Sequence, residues 1–351
     1  TPEHCSLPIR IRTEPLVAAG SEREELAMSD LRLAVWGAGV MGERVARAAA
    51  GIPGAAVTAV IDTNDERAAV VASAVGAAPF RSLADAEGID AVYIGLPNAA
   101  HHRACLEAAS RGLHVLVDKP LTVTLREADE VVDDAMKSGR YWMVGFSYRF
   151  RGEWRRARDI VRSGGIGAPY FVSDNVIEAY ESTPEWYWSA EAGGGTVRLQ
   201  SHHVFDRWEW VLGQAVTAVS ALTFVPADRD TDLAATLNVQ FGAGIVGSSA
   251  LSFGVGYAAP PRIAFTIQGT LGSIELDESR RLLVSTPNGT SEESFDDDWL
   301  STELADFVAG VRGEDRGQPT IRAGRRAVQL AELARRSAAE RRWVETVDAD
   351  E

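Results

Sequence analysis

The sequence predicts two successive domains, an α/β domain built on a parallel sheet and an α+β domain built on a mostly antiparallel sheet. A chain of 351 residues is too long for one hydrophobic core of typical size. Residues 31–120 alternate short apolar strands with single helical segments, as in a doubly wound parallel sheet with right-handed crossovers. After about residue 150, strand-like runs alternate apolar and polar side chains, which favours an antiparallel sheet with one covered face.

In the first domain, residues 31–147, each predicted strand is a short apolar run bounded by turn-forming residues. The predicted strands are residues 31–37, 55–62, 91–96, 114–120 and 141–150. The predicted helices are residues 41–51, 65–76, 101–112 and 121–139, the last with a threonine cap and a terminal glycine. Residues 1–30 are expected to be an N-terminal extension.

The second domain, residues 148–345, begins with a predicted helix at residues 151–163. The predicted strands that follow are residues 169–180, 215–225, 233–241, 244–253, 262–269, 272–277 and 281–286. Closing helices are predicted at residues 299–313 and 322–340. This pattern predicts a predominantly antiparallel, open-faced sheet with helices on one face.

Composition excludes several classes of function. Fifty acidic and 35 basic residues give a net charge of −15, which argues against a nucleic-acid or anionic-membrane surface. Cys5 and Cys105 cannot form a disulfide framework, and no Cys or His spacing typical of a metal site occurs. No apolar run reaches about 18 residues, and residues 1–27 are a poor secretory signal. We therefore expect a cytoplasmic protein with a small-molecule partner, no nucleic-acid or membrane partner and no metal.

The first turn of the α/β domain carries a dinucleotide-binding pattern. Gly37, Gly39 and Gly42 form G-x-G-x-x-G between a strand and a helix, where the helix N-terminus can bind phosphates. About 20 residues later Asp62 ends the second strand, where a carboxylate accepts a hydrogen bond from a ribose 2′-hydroxyl. A carboxylate repels the 2′-phosphate of NADP. Although Arg67 lies within reach, we therefore expect a Rossmann domain that binds NAD rather than NADP.

Further segments resemble the glucose–fructose oxidoreductase/inositol dehydrogenase (Gfo/Idh/MocA) family. They are Pro97-Asn98 with His101, the segment Asp118-Lys119-Pro120, the triple glycine 193–195 with His203 and Asp206, and the turn GTLGSIEL. The resemblance covers about residues 31–340. It implies an NAD(P) cofactor, a sugar or cyclitol substrate, and a homodimer or homotetramer formed through the second sheet.

The glycine pattern and the resemblance together place the cofactor along the strand ends of the first domain. The predicted cofactor-binding residues are Gly37, Gly39, Val40, Met41, Gly42, Asp62, Leu96, Pro97, Asn98, His101, Asp118, Lys119 and Pro120. Lys119 is also a candidate catalytic residue, because it ends a parallel strand and its ammonium can stabilise a developing alkoxide. Only Lys119 and Lys137 are lysines among 35 basic residues, which indicates a role that arginine cannot fill.

His203 is the second candidate catalytic residue. Family members commonly read G-G-G-x-L-x-D-x-G-x-H-x-x-D in this stretch; here the histidine falls on His203 and the first aspartate falls on Leu199. An acid at i,i+4 would face the same cleft as the histidine. Three interpretations stay open: His203 acts alone, another group substitutes, or the chain uses its cofactor differently. The substitutes considered are His202, Arg198, Glu178 and Asp174, and the structural alternative for His203 is a core histidine satisfied by backbone.

The predicted substrate-binding residues are Tyr148, Arg149, Trp186, Arg198, His202 and Asp206. Aromatic side chains such as Trp186 suit the C–H faces of sugars. The predicted function is an NAD-dependent oxidoreductase that transfers a hydride between nicotinamide and a secondary alcohol of a sugar, sugar acid or cyclitol. The alternatives are a glycosidase that transiently oxidises its sugar with bound NAD, and a non-catalytic dinucleotide-binding sensor or regulator.

Overall fold

Six parallel strands form the first sheet. The computed structural model describes residues 30–314 and 316–346. The strands are β1 (Leu31–Trp36), β2 (Ala55–Ile61), β3 (Ala78–Phe80), β4 (Ala91–Ile94), β5 (His114–Asp118) and β6 (Trp142–Gly145). Their order is β3-β2-β1-β4-β5-β6, and every pair is parallel. This confirms the predicted Rossmann sheet, whose chain order reverses between β1 and β4 and opens a crevice at the carboxyl ends of the strands.

The helices that connect these strands start and stop at recognisable signals. They are α1 (Val40–Ala49), α2 (Asp65–Val75), α3 (Asn98–Ser110) and α4 (Leu125–Ser138). Thr124 and Glu127 form a capping box at the start of α4, and Gly139 ends the helix in the left-handed conformation. The predicted threonine cap and terminal glycine are therefore confirmed.

The second sheet has nine strands and is open at both edges. The strands are β7 (Pro169–Tyr180), β8 (Val216–Phe224), β9 (Ala234–Phe241), β10 (Val246–Val255), β11 (Ala259–Gly269), β12 (Gly272–Asp277), β13 (Arg281–Thr286), β14 (Gly289–Ser294) and β15 (Val344–Glu345). Their order is β14-β13-β12-β11-β7-β10-β9-β8-β15, antiparallel except for the β7–β10 pair. The predominantly antiparallel sheet is thus confirmed.

Helices cover one face of this sheet. The helices of the second half of the chain are α5 (Gly152–Arg162), α6 (Thr196–Leu212), α7 (Trp299–Val311) and α8 (Ile321–Glu340). Phe205 and Trp208 of α6 pack in one core with Val172 and Val176 of β7. In the middle of β7, Val172, Asp174 and Val176 are buried on the helix-covered face, whereas Ile177 on the other face is 44% exposed.

The closing helices also pack on the first domain, although we expected them in the second. Leu304 and Phe307 of α7 belong to a Rossmann-domain core, and Val328 of α8 belongs to another. Two residues further along α8, on the opposite side of the helix, Leu330 lies in the core of the second domain. Because a buried helix can present apolar residues on several faces, α8 joins the two domains.

The sequence predicts no strand at β3, β14 or β15, and it extends the last Rossmann strand too far. That strand ends at Gly145, and residues Ser147–Phe150 form a 3-10 turn that leads into α5. β14 has the sequence GTSEES, so it carries no apolar alternation, and β15 has only two residues. Such strands exist because a neighbouring strand offers hydrogen bonds, which a local pattern does not reveal.

Within residues 30–314 and 316–346, no helix combines the length and apolar character needed to cross a membrane. α8 has 20 residues but carries Arg325, Arg326 and Glu332. The same part of the chain contains no group of three His, Cys, Asp or Glu side chains that could hold a metal ion.

Candidate active site

A cavity of about 470 Å³ lies where the carboxyl ends of the Rossmann strands face β7 and α6. From the first domain it is lined by Met41, Tyr93, Leu96, Asn98, Asp118 and Lys119, among others. From the rest of the chain its wall includes Tyr148, Arg151, Glu178, Tyr180, Trp186, Tyr187, Leu199, Gln200, His203, Trp299 and Glu303. Both catalytic candidates, Lys119 and His203, therefore line one cavity.

The turn between β1 and α1 is shaped for the close approach of a ligand. Gly37 has φ of +105°, and a Cβ on Gly42 would lie 1.6 Å from the Gly37 carbonyl oxygen, so both positions require glycine. Among the residues that the structure describes, no heavy atom beyond its chain neighbours lies within 4 Å of a Cβ built on Gly39, and no side chain caps α1. The first amides of a helix have no intrahelical partner, and Val40 at the start of α1 is 80% exposed. The amides of this turn are therefore open to a diphosphate.

Asp62 is a buried carboxylate at the end of β2 beside this turn. Its Oδ2 accepts a hydrogen bond from the Ala38 amide at 2.8 Å, and its Oδ1 accepts from the Asn64 amide and the Arg67 guanidinium, both at 2.8 Å. Burial would raise the pKa of Asp62, but these hydrogen bonds outweigh burial and hold it below 3.8. The lowered pKa favours the ionised carboxylate of Asp62. Arg67, which the sequence placed within reach of Asp62, does contact it.

The side chain of Lys119, in the first domain, contacts the second domain. Its Nζ donates a hydrogen bond to the Leu199 carbonyl oxygen at 2.7 Å, and its amide donates to Asp118 Oδ1 at 2.7 Å. The Tyr93 hydroxyl donates to Asp118 Oδ2 at 3.3 Å. Burial lowers the pKa of Lys119 below 10.5, against the opposing charges of Asp118 and Glu178. The ammonium thus releases a proton more readily than that of an exposed lysine.

His101, predicted to lie on the nicotinamide side of the cofactor site, is buried and does not line the cavity. Its Nδ1 is 2.7 Å from the Pro120 carbonyl oxygen and its Nε2 is 2.8 Å from the Leu96 carbonyl oxygen. The ring therefore ties together the loops that follow β4 and β5. Asn98 does line the cavity, but its side-chain amide donates to the Gly193 carbonyl oxygen at 2.9 Å.

The cavity face of α6 carries Leu199, Gln200 and His203. Positions 199 and 203 both lie within α6 and are four residues apart, which is about one helical turn, as their spacing predicts. Burial and the charge of Lys119 hold the pKa of His203 well below 6.5. Its Nδ1 is buried and has no hydrogen-bond partner in the described part of the chain, which does not fit a core histidine satisfied by backbone. The lowered pKa favours the neutral imidazole, in which one ring nitrogen can accept a hydrogen bond.

Arg149, Asp206 and Arg198, predicted to bind substrate, do not line this cavity. Arg149 donates to both carboxylate oxygens of Asp206, at 2.9 and 2.6 Å, and the side chain of Asp206 is 2% exposed. Arg198 donates to the Ala190 carbonyl oxygen at 2.7 Å, within the segment that leads into α6. These residues hold the second domain together rather than face a ligand.

His202 is also absent from the cavity wall. It is 2% exposed, and burial together with the charges of Lys119 and Arg198 lowers its pKa to about 3. On α6 the cavity is lined by Leu199, Gln200 and His203, and His202 is not part of this face. Of the predicted substrate-binding residues, the structure brings Tyr148 and Trp186 to the cavity.

Among the residues considered as substitutes for the missing acid, Glu178 is the one that lines the cavity. It stands on the helix-facing side of β7, and its Oε2 accepts a hydrogen bond from Gln200 Nε2 at 2.5 Å. Asp174, on the same face of β7, forms a two-bond ion pair with Arg207, and both side chains are fully buried. Asp174 is therefore structural, whereas the carboxylate of Glu178 remains within reach of a ligand.

Arg151, Trp299 and Glu303 line the cavity but were missed from the sequence. Arg151 follows the 3-10 turn that we had read as part of a strand. The other two lie on α7, which reads as an apolar closing helix and gives no sign of a role in the site. Only the packing of α7 against the Rossmann domain brings its first turns to the cavity.

Glu303 is expected to make stability depend on pH. Burial and the charge of Asp118 raise its pKa well above 4.5, so the folded protein keeps a proton that the unfolded chain releases. Its stabilising contribution is complete below pH 4.5 and is lost as pH rises through the folded-state value. In Glu303→Gln, the free energy of unfolding from urea titration should fall less steeply as pH rises above 4.5, by up to about 1.4 kcal/mol per pH unit.

The exposed residue Glu181 provides the control, because Glu181→Gln should keep the wild-type slope. Equal slopes in wild type and Glu303→Gln would contradict a raised pKa at this position.

Both domains of the chain match models of known protein families. Residues 31–146 match the oxidoreductase family with an NAD-binding Rossmann fold, and residues 154–275 match the GFO/IDH/MocA C-terminal domain. Inositol 2-dehydrogenase of Streptomyces avermitilis is 30% identical over 309 residues, 83% of this chain and 86% of the relative. The rhizopine catabolism protein MocA of Rhizobium meliloti is 30% identical over 314 residues, 88% of this chain and 95% of the relative.

A solved structure has the same fold. Levoglucosan dehydrogenase in complex with NADH and levoglucosan superposes with a TM-score of 0.81 at 22% identity, over 90% of this chain and 99% of that one. The matched Rossmann domain and the glycine turn agree on a dinucleotide cofactor. This chain is an NAD-binding oxidoreductase of the Gfo/Idh/MocA family.

Proposed function

We propose that this protein oxidises a secondary alcohol of a sugar, sugar acid or cyclitol with NAD. The observation that carries the proposal is the placement of Lys119 and His203 in one cavity at the carboxyl edge of the parallel sheet. Lys119 is hydrogen-bonded to the Leu199 carbonyl oxygen, one turn before His203 on α6. A donor and a proton acceptor thus face the same space.

The reaction divides the work between these side chains. Bound NAD supplies the hydride acceptor. Lys119 donates a hydrogen bond to the substrate oxygen and stabilises the negative charge that develops as the O–H bond weakens. His203 accepts the hydroxyl proton and returns it to solvent, so that the alcohol becomes a ketone by loss of one proton and one hydride. The cofactor is held by the turn at Gly37–Gly42, by Asp62 and by the loops after β4 and β5.

Glu178 supplies the carboxylate that is missing at position 199, where this chain has leucine. Its carboxylate accepts hydrogen bonds only, and Gln200 occupies one of about four lone-pair sites. A substrate hydroxyl beside the reacting carbon can use another. The charge of Glu178 also helps to keep Lys119 protonated, which suits a hydrogen-bond donor.

The relatives favour a polyhydroxylated ring as substrate. Two are named for inositol and rhizopine, and levoglucosan is bound in the solved neighbour. In this chain the aromatic side chains of Tyr148, Trp186 and Tyr187 line the cavity and suit the C–H faces of such a ring. Self-association through the open face of the second sheet is part of the proposal, supported by exposed apolar residues such as Ile177 and Val246.

The catalytic roles are tested by NADH formation, followed by absorbance, across sugars, sugar acids, inositols and aryl glycosides. Lys119→Ala and His203→Ala should each lower kcat at least ~10-fold, because positioned acid–base groups contribute about 100- to 10,000-fold. Lys137→Ala is the control, since Lys137 is exposed and pairs with Asp134. Unchanged turnover in both cavity variants would refute the roles. NAD-dependent release of a leaving group without NADH would indicate the glycosidase, and NAD binding without any turnover would indicate a regulator.

Asp62 is expected to bind the adenosine ribose. Asp62→Ala should weaken NADH binding, measured by calorimetry, by about 10-fold or more, since a charge-assisted hydrogen bond contributes about 1.5–3 kcal/mol. The loss should be smaller for NADPH, because the repulsion of its 2′-phosphate is removed at the same time. Asp65→Ala, at an exposed ion pair with Arg81, should leave both affinities unchanged. An unaltered NADH affinity in Asp62→Ala would exclude this contact.

Glu178→Gln should lower kcat/KM by about 10-fold through a loss of charge in the cavity. Adding Leu199→Asp should restore part of that loss, because position 199 lines the same cavity. Glu181→Gln, an exposed neighbour outside the cavity, is the matched control. A Glu178→Gln enzyme with wild-type kinetics would show that His203 works without an acid.

A further inference from the structure

The wall of the cavity contains a cation without an ionic partner. The guanidinium of Arg151 lies 4.3 Å from the centroid of the Tyr148 ring and 5.6 Å from that of Trp299. Within residues 30–314 and 316–346 its side chain makes no salt bridge and no hydrogen bond, and its Nε is buried without a partner. The two rings thus hold the side chain in place but leave its donors unused.

The neighbouring arginines differ from Arg151 in this respect. The ion pairs of this segment are Arg149 with Asp206, Arg155 with Asp306 and Arg156 with Glu293. A partly buried charge without a counter-charge is costly, because the protein interior replaces water poorly. An arginine left unpaired beside a catalytic cavity is therefore explained best by an anion that the cavity receives.

We propose that Arg151 binds the carboxylate of the substrate, so that the enzyme acts on sugar acids; this rests on the proposed function and narrows it. The guanidinium presents parallel N–H groups that match a carboxylate in two hydrogen bonds. Tyr148 separates Arg151 from the catalytic centre by one ring, since its centroid is 5.0 Å from that of His203. Because Arg151 and Lys119 line the same cavity, one sugar acid bound there would direct its carboxylate to Arg151 and its reacting alcohol to Lys119.

The position of Arg151 favours a substrate carboxylate over the diphosphate of the cofactor. The glycine turn at the start of α1 already provides amides for the diphosphate. Arg151 and His203 both contact the Tyr148 ring, at 4.3 Å and 5.0 Å from its centroid, which places Arg151 near the catalytic candidate His203. On the other side Glu178 accepts substrate hydroxyls, so the cavity offers both contacts that a polyhydroxy acid needs.

The test compares matched pairs of ligands on the NADH-loaded protein by calorimetry. The probes are D-glucuronate against D-glucose and D-galacturonate against D-galactose, with turnover of the same compounds measured with NAD. Wild type should bind at least one uronate about 10-fold more tightly than its hexose, and Arg151→Gln should abolish that difference while NADH affinity is unchanged. Arg156→Gln, on the exposed side of α5, should behave as wild type.

Three outcomes would overturn the assignment. They are the absence of a uronate preference in wild type, an equal preference in Arg151→Gln, and weaker NADH binding in Arg151→Gln with the uronate preference intact. The last would assign Arg151 to the diphosphate of the cofactor. Tight uronate binding that depends on Arg151, without NADH formation from any compound, would refute the dehydrogenase and leave the carboxylate site standing.

Discussion

The hydrogen bond from Lys119 Nζ to the Leu199 carbonyl oxygen joins the two domains at the point where the chemistry takes place. Lys119 ends β5, and Leu199 lies in the first turn of α6. Because the carbonyl belongs to the helix backbone, this contact sets the distance from Lys119 to His203 whatever side chain stands at position 199. The bond from Asn98 to the Gly193 carbonyl oxygen makes a second link beside it. The cavity depends on both.

Burial sets the protonation states in this cavity, and the neighbouring charges adjust them. Burial lowers the pKa of both Lys119 and His203 and raises that of Glu303. Glu178 and Asp118 act against burial at Lys119, so a cation and a neutral imidazole can coexist. Deeper in the second domain, the Asp174–Arg207 pair shows the contrasting case, in which two fully buried charges neutralise each other and take no part in the site.

The loss of an acid from α6 need not abolish the function, because the cavity receives side chains from several elements. Position 199 and Glu178 lie on different elements, yet both line the same space, and Gln200 connects them. A functional group is defined by the atoms it can reach rather than by its place in a motif. Arg151 illustrates the same rule, since a residue just before α5 meets the start of α7 only in the folded protein.

The sequence by itself determined the Rossmann order of elements and the glycine turn, because these follow from local periodicity and from short-range motifs. The family resemblance added Lys119 and His203 as joint catalytic candidates, and the 3.6-residue period placed Leu199 and His203 on one helix face. Tertiary structure decided which neighbours reach the cavity, and Arg149, Arg198, His202 and Asp206 do not line it. Glu178, Arg151 and Glu303 reached it through contacts between distant segments, and such contacts leave no periodic signal in the chain.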